Sequence, residues 1–307
     1  QHTQTQPYRY CRSCGYVFRP EPDTSMGTGT TIDDGIKYPT KRFSDDYFNE
    51  VERRREVISE HRAAFVLEHV SPETMLDVGC AYGALIKDMA KRGITATGID
   101  PWASLAEYGR ERFGLNIDVD YYQETSYPAA SFDLITAESS AYYLRPGGVV
   151  RFLEIARGHL RPGGAIYLQL GDTFKASVAL MSNQVRSLVP YENVESVVAR
   201  QGFEVIAKTR KNYPFGFYGV ILRPLDEAIQ MPQPTPQPMA KIADELALAD
   251  YNLMRETGSQ PAPAVRTAVL GLHHLFPGRW PAAYLCKAVN RIARWRGVYG
   301  TYSGISG

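Results

Sequence analysis

The chain has 307 residues, 44% of them hydrophobic and 22% charged, with a net charge of +1. That length carries one large domain or two modest ones, and that composition packs a core. The near-neutral balance gives no global reason to expect a nucleic-acid partner, and no apolar run approaches the roughly 18 residues of a membrane span. Four cysteines in a chain this long do not make a disulfide framework, so a reducing cytoplasm is the expected compartment. The opening QHTQTQPYRY lacks the basic and apolar regions of a secretory signal. It also starts without Met, which reads as processing or truncation.

Residues 1–44 are rich in Gly, Pro, Thr and Tyr and read as irregular. Within them YRYCRSCGYVF holds Cys11 and Cys14, half of a zinc-ribbon knuckle. A structural zinc takes four ligands. Cys80 is committed to a glycine turn and Cys286 lies in the last helical region, so a bound zinc and a reduced, metal-free pair both stay open. From Asp45 to about Val70 the pattern is helical, with Phe48, Val51, Val57, Ile58, Ala64, Phe65 and Leu67 as the apolar stripe.

Regular alternation follows. Strands are predicted at Thr74–Val78, Thr95–Ile99, Ile117–Tyr121, Phe132–Ala137, Ala165–Leu170, Phe203–Lys208 and Phe217–Leu222. Helices are predicted near 83–92, 102–113, 148–160 and 174–188. Strands alternating with helices imply βαβ units, hence an α/β, mostly parallel sheet with helices on both faces. This unit is expected to span 45–225. Residues 226–239 are Pro/Gln-rich and read as an extended linker or a strap. Residues 240–307 read as a helical C-terminal extension. From Thr257 onward it holds six Lys/Arg and no Asp/Glu. Its region 264–296 suits either docking on the main domain or peripheral contact with an anionic membrane, and docking is the favoured expectation.

The informative stretch is MLDVGCAYGALIKDMAKRGITATGID, Met75 to Asp100. Gly79 and Gly83 allow a tight strand-to-helix turn, with Ala81 where a further Gly is common. Asp100 ends the next strand, where an acid accepts hydrogen bonds from ribose hydroxyls. A tight turn without a ligand is the alternative. NAD needs an anion seat at the helix start, yet Asp77 lies two residues before the first Gly. An acid there suits a cationic ligand better, and S-adenosylmethionine carries an ammonium and a sulfonium.

With these motifs the chain resembles the class I S-adenosylmethionine-dependent methyltransferases of the small-molecule and sugar type. LDVGCAYG resembles that family's first motif and GIDPW its acidic second motif. SYPAASFDLITAE resembles the strand-four region, LRPGGAIYLQL the strand-five signature, and QGFEVI with FGFYGVIL the closing strand pair. The resemblance covers roughly 45–223 and implies a Rossmann-like, seven-stranded sheet with its last strand antiparallel. It implies that Asp77, Gly79, Ala81 and Gly83 face the methionine part of the donor and that Asp100 holds the ribose. It implies that Pro101 and Trp102 flank the adenine, with Tyr122, Gln123 and Glu124 at the adenine edge and Ala137 at the end of strand four. A packed core Trp is the other reading of Trp102. The lead-in DDYFNEVERRR resembles the aromatic cover of the donor site, through Tyr47 and Phe48, and its run Arg53–Arg55 reads as a solvated face.

After strand four the sequence departs from its relatives. The run is AESSAYYLRPGG, with Tyr143 where His is common. His159 reads as structural. A hydroxyl or acidic-carbon acceptor needs a positioned base. Glu138 is the candidate, with Tyr142 and Tyr143 as orienting groups; a ligand for the donor's ammonium and a plain solvated acid are the other readings of Glu138. Tyr191, Glu192 and Tyr213 are weaker acceptor-side candidates. The expected function is methyl transfer to a small-molecule or sugar acceptor, O-methylation ahead of C-methylation, in natural-product or glycan biosynthesis. A protein that binds the donor only structurally and an RNA methyltransferase are the alternatives.

Overall fold

The computed structural model describes residues 9–18, 45–144, 146–175, 185–213, 216–225, 232–236, 238 and 241–242. Within the first helix the side chains of 45–51, 53 and 54 lie outside that set, so the expectation for Tyr47 and Phe48 falls outside the described residues. The same holds for the tail region 264–296 and for Cys286.

The strands are β1 (Arg9–Tyr10), β2 (Val17–Phe18), β3 (Thr74–Val78), β4 (Thr95–Ile99), β5 (Asn116–Asp118), β6 (Phe132–Ala137), β7 (Leu160–Gly171), β8 (Ser187–Leu188), β9 (Phe203–Thr209) and β10 (Phe217–Pro224). The helices are α1 (Asp45–Leu67), α2 (Ala84–Lys91), α3 (Ala103–Phe113), α4 (Pro146–His159) and α5 (Val194–Ala199). Seven strands form the main sheet in the order β5-β4-β3-β6-β7-β10-β9. β3 runs parallel to β4 and β6, and β6 parallel to β7, whereas β10 is antiparallel to β7 and β9. This is the Rossmann-like arrangement implied by the strand motifs.

Period-two alternation explains why the central strands are apolar throughout. Leu76, Ile135, Ile166, Leu168 and Val220 point to one face and pack with Phe152, Leu153 and Val198 from α4 and α5. Their neighbours Met75, Leu134, Ala165, Tyr167 and Ile221 point to the other, against Ala63 and Val66 of α1 and Leu85 and Met89 of α2. With both faces covered, a strand is hydrophobic at every step.

Several expectations change. In α1 the predicted stripe does not face the sheet at Val57 and Ile58, which are 55% and 36% exposed. The buried positions are Ser59, Arg62, Ala63 and Val66, a helical i, i+3, i+4, i+7 set that includes an arginine. The predicted helix at 174–188 is not continuous: Thr173–Lys175 is a 3-10 turn and Ser187–Leu188 is a strand. Within the segment read as irregular, residues 9–18 form a hairpin, β1–β2, that pairs with β8 in a second, three-stranded sheet. Val17, Leu188, Val185, Tyr142 and Ile242 form its buried core. Asn193 fastens this sheet to the Pro/Gln segment. Its amide donates to Cys14 O and Thr235 O, both at 2.9 Å, and Thr235 N–H donates to its Oδ1 at 2.9 Å. Thr235 of the Pro/Gln segment is thus held against Asn193.

Candidate active site

The chain leaves β3 for β4 and β5 on one side, then crosses back to β6 on the other. Such a switch point opens a crevice at the carboxyl ends of the strands. A cleft of about 420 Å³, counting open solvent in its mouth, lies there, lined by Val78, Gly79, Ile99, Pro101, Tyr122, Gln123 and Ala137. Ser140, Ala141, Leu144 and Phe152 complete its wall, with Asp120 and Tyr121 at its edge.

The glycine turn is strained into shape. Gly79 has φ 73° and its N–H donates to Ile99 O at 2.8 Å. A Cβ on Gly79 would lie 2.6 Å from Ser140 Cβ, so only glycine fits. Gly83, φ 85°, caps α2. Ala81 takes φ 52° without being glycine, and its N–H donates to Asp100 Oδ2 at 2.7 Å. The other Asp100 oxygen accepts Trp102 N–H at 2.8 Å. Asp100 therefore ties the first motif to the second, and burial raises its pKa against the lowering effect of those two amides. Asp77 is 3% exposed and accepts a hydrogen bond from Thr136 Oγ1 at 2.6 Å. Burial pushes its carboxyl up to about 8, with Glu138 and Asp100 adding and Thr136 and Arg55 opposing. Positive charge close to a buried carboxyl whose pKa is raised in this way would stabilise its ionised form.

The predicted donor residues divide. Gly79, Pro101, Tyr122, Gln123 and Ala137 line the cleft, and Asp77 and Asp100 lie buried beside the strand ends that frame it. Gly83 and Ala81 shape the turn. Trp102 caps α3 with its carbonyl and is not among the lining residues. Glu124 is exposed and also outside the lining. Tyr122 spends its hydroxyl on His159 Nδ1, 2.9 Å away, which accounts for His159 as a structural group.

Of the residues expected on the acceptor side, Glu138 follows β6 and keeps 15% side-chain exposure. Burial raises its pKa, and Arg62 and Arg55 oppose that rise. Ser139 follows with φ 56°, a left-handed conformation for a residue with a Cβ, and Ser140 Oγ donates to Val78 O at 2.8 Å. Tyr143 is half-buried beside Tyr142, ring centroids 4.5 Å apart. Tyr142 packs in the core of the small sheet, against Phe217 at 4.7 Å. Burial lifts both phenols above their usual range. Tyr191 and Glu192 are engaged elsewhere: Arg210 lies over the Tyr191 ring at 4.0 Å and pairs with Glu192 at 3.2 Å. Tyr213 does reach the region, with its hydroxyl 2.5 Å from that of Tyr167. Arg62 was not among the sequence candidates. Its only signal is the helical spacing Ser59-x-x-Arg62-Ala63, which reads as a polar face.

Cys11 and Cys14 are free thiols, and Cys11 donates or accepts a 3.1 Å hydrogen bond with Ser13. Among the described residues no group of three or more His, Cys, Asp or Glu surrounds a metal position. Two thiols alone do not fit a structural zinc.

Residues 75–164 match the methyltransferase domain family. That segment contains the glycine turn, Asp100 and the β6 end just described. This segment is a class I methyltransferase domain. Similar curated proteins are ubiquinone biosynthesis O-methyltransferases. The one from Pseudomonas paraeruginosa is 35% identical over 103 residues, covering 31% of this chain and 43% of the relative. The one from Pseudomonas entomophila is 34% identical over 115 residues, covering 34% and 48%. The chain thus spans less than half the length of these curated relatives. Similar solved structures include an S-adenosylmethionine-dependent methyltransferase from Clostridium acetobutylicum, with TM-score 0.46, 12% identity, and coverage of 54% of this chain and 90% of that one. Another is the 1,6-didemethyltoxoflavin-N1-methyltransferase from Burkholderia thailandensis, with TM-score 0.43, 17% identity, and coverage of 59% and 82%. Among the described residues no helix is long and apolar enough to cross a membrane.

Proposed function

We propose that this chain transfers a methyl group from S-adenosylmethionine to a hydroxyl of a small-molecule acceptor, in the cytoplasm. The observation that carries the reading is the cleft at the β3/β6 switch point, lined by Val78 and Gly79 directly after the buried Asp77, whose pKa burial raises. A cationic donor stabilises the ionised form of such an acid, whereas a pyrophosphate repels it. The donor supplies an activated methyl on its sulfonium and leaves as a neutral thioether.

The chain's own residues then have three tasks. Asp77 and the turn Gly79–Gly83 seat the amino-acid end, and Asp100 holds the ribose. Pro101, Tyr122 and Gln123 form apolar and polar walls for the base. Glu138 stands at the acceptor end and takes the acceptor's proton as the methyl moves, which is general-base help worth about 10²–10⁴-fold. The likeness to O-methyltransferases supports oxygen over carbon as the methylated atom; phenol and sugar acceptors both satisfy the chemistry.

The test is transfer of an isotopically labelled methyl group to a panel of phenols and sugars, in wild type and Glu138→Gln. Product that depends on Glu138 supports the reading. Donor binding with no transfer to any member of the panel would favour a chain that uses the donor structurally.

A further inference from the structure

Among the described residues of α1, Arg62 is the one buried arginine, 2% exposed, and it reaches Glu138 at the end of β6. Its Nε lies 3.5 Å from Glu138 Oε1. That Nε–H has no hydrogen-bond partner and is fully buried. The rest of the guanidinium is clamped: Cζ sits 3.5 Å above the Tyr213 ring, and Nη1 donates to Asn212 O at 2.9 Å. Tyr213 is itself fixed by Tyr167 and presses on the β10 backbone, where a Cβ on Gly219 would overlap its hydroxyl.

A buried guanidinium is costly to desolvate unless its charge is matched. Here it has one carboxylate, one carbonyl and one aromatic face. An apolar residue would serve packing against the sheet as well as its neighbours Ala63 and Val66 do.

We propose that Arg62 is a positioning residue: held flat on Tyr213, it anchors the Glu138 carboxylate at the acceptor end of β6. This rests on the methyl-transfer reading above. Glu138 is surrounded by Arg62 and Arg55 of α1, Asp77 of β3, Tyr142, Tyr167 of β7 and Tyr213. Burial favours the protonated acid, which donates a proton and cannot accept one. Arg62 and Arg55 favour the carboxylate. Arg55 is exposed and screened, so Arg62 dominates. The phenols stay protonated in the neutral range because burial raises all three.

The test needs no acceptor. Glutamate carboxyl carbons are labelled with ¹³C and titrated by NMR in the donor-free full chain, with Glu138→Gln assigning the signal. In Arg62→Met the midpoint of Glu138 is expected to rise by at least about one pH unit, a tenfold loss of carboxylate at a given pH. Arg62→Lys, which keeps charge but not the flat stack, should rise less. A Glu138 midpoint that is the same in wild type and both variants would overturn the proposal. If Arg62→Met does not fold, the Arg62→Lys comparison decides alone: a raised midpoint supports it and an unchanged one overturns it. Donor affinity is measured on the same samples. Its absence in wild type would sink the methyl-transfer reading, whereas the Glu138 midpoint speaks only to Arg62.

Discussion

Asp77→Asn should make the donor-free protein more stable while weakening the site. The side chain is 3% exposed and its carboxyl is pushed up from 3.8 to about 8, chiefly by burial. An acid whose folded pKa lies above its unfolded value contributes stability fully present below pH 3.8 and lost as pH rises through about 8. At pH 7 about three pH units of that gap are expressed, or ~4 kcal/mol. At pH 4.5 the same arithmetic leaves ~1 kcal/mol. Asparagine has the same shape, keeps an oxygen for Thr136 Oγ1 and does not titrate. The variant's advantage should therefore grow from small at pH 4.5 to its full value near pH 8 and then level off. Denaturant unfolding of both proteins at pH 4.5, 7 and 9 measures this. A variant no more stable than wild type at pH 9, or an advantage independent of pH, would refute the assignment of a buried, uncompensated acid. The same substitution should weaken binding of S-adenosylmethionine by tenfold or more, on the order of the ~1.4 kcal/mol that a lost charge interaction is worth.

Gly79→Ala should cost roughly 2–3 kcal/mol, because φ is positive and the new Cβ meets Ser140 at 2.6 Å. Thermal unfolding and donor titration should both register it, and a variant with wild-type stability and binding would count against the close approach of the turn to the β6 end. Asn193→Ala removes three hydrogen bonds that join the Cys11–Cys14 hairpin to the Pro/Gln segment. The expected loss is local, about 2–4 kcal/mol. Hydrogen exchange should show it as faster exchange at residues 11–17 with the main sheet unchanged; unchanged exchange at the hairpin would contradict the stapling role.

The main sheet was legible because its central strands announce themselves. TMLDV, FDLITA and AIYLQL are short apolar runs bounded by turns, and their order with the intervening helices leaves few topologies. The donor half of the site was legible for a related reason: Gly79, Gly83 and Asp100 are local to one βαβ unit. What was hidden depends on contacts distant in sequence. β1, β2 and β8 have two residues each, too few for any periodic pattern, and exist because they pair with one another. The α1 stripe holds at Phe65 and Leu67 but not at Val57 and Ile58, because the buried face includes Ser59 and Arg62, and Arg62 meets Glu138, Asn212 and Tyr213, the nearest of them 76 positions away (138 − 62). Tyr142 packs its ring in the small sheet, which no periodic pattern announces, and still lies within electrostatic reach of Glu138.

S-adenosylmethionine is expected to occupy the cleft between β3 and β6. Calorimetric titration of the full chain with S-adenosylmethionine, S-adenosylhomocysteine and NAD, repeated on Asp100→Ala, tests it most directly. Binding of the first two, no binding of NAD, and loss of binding in Asp100→Ala are the expected results. Binding of NAD in place of the methyl donor would contradict that occupancy.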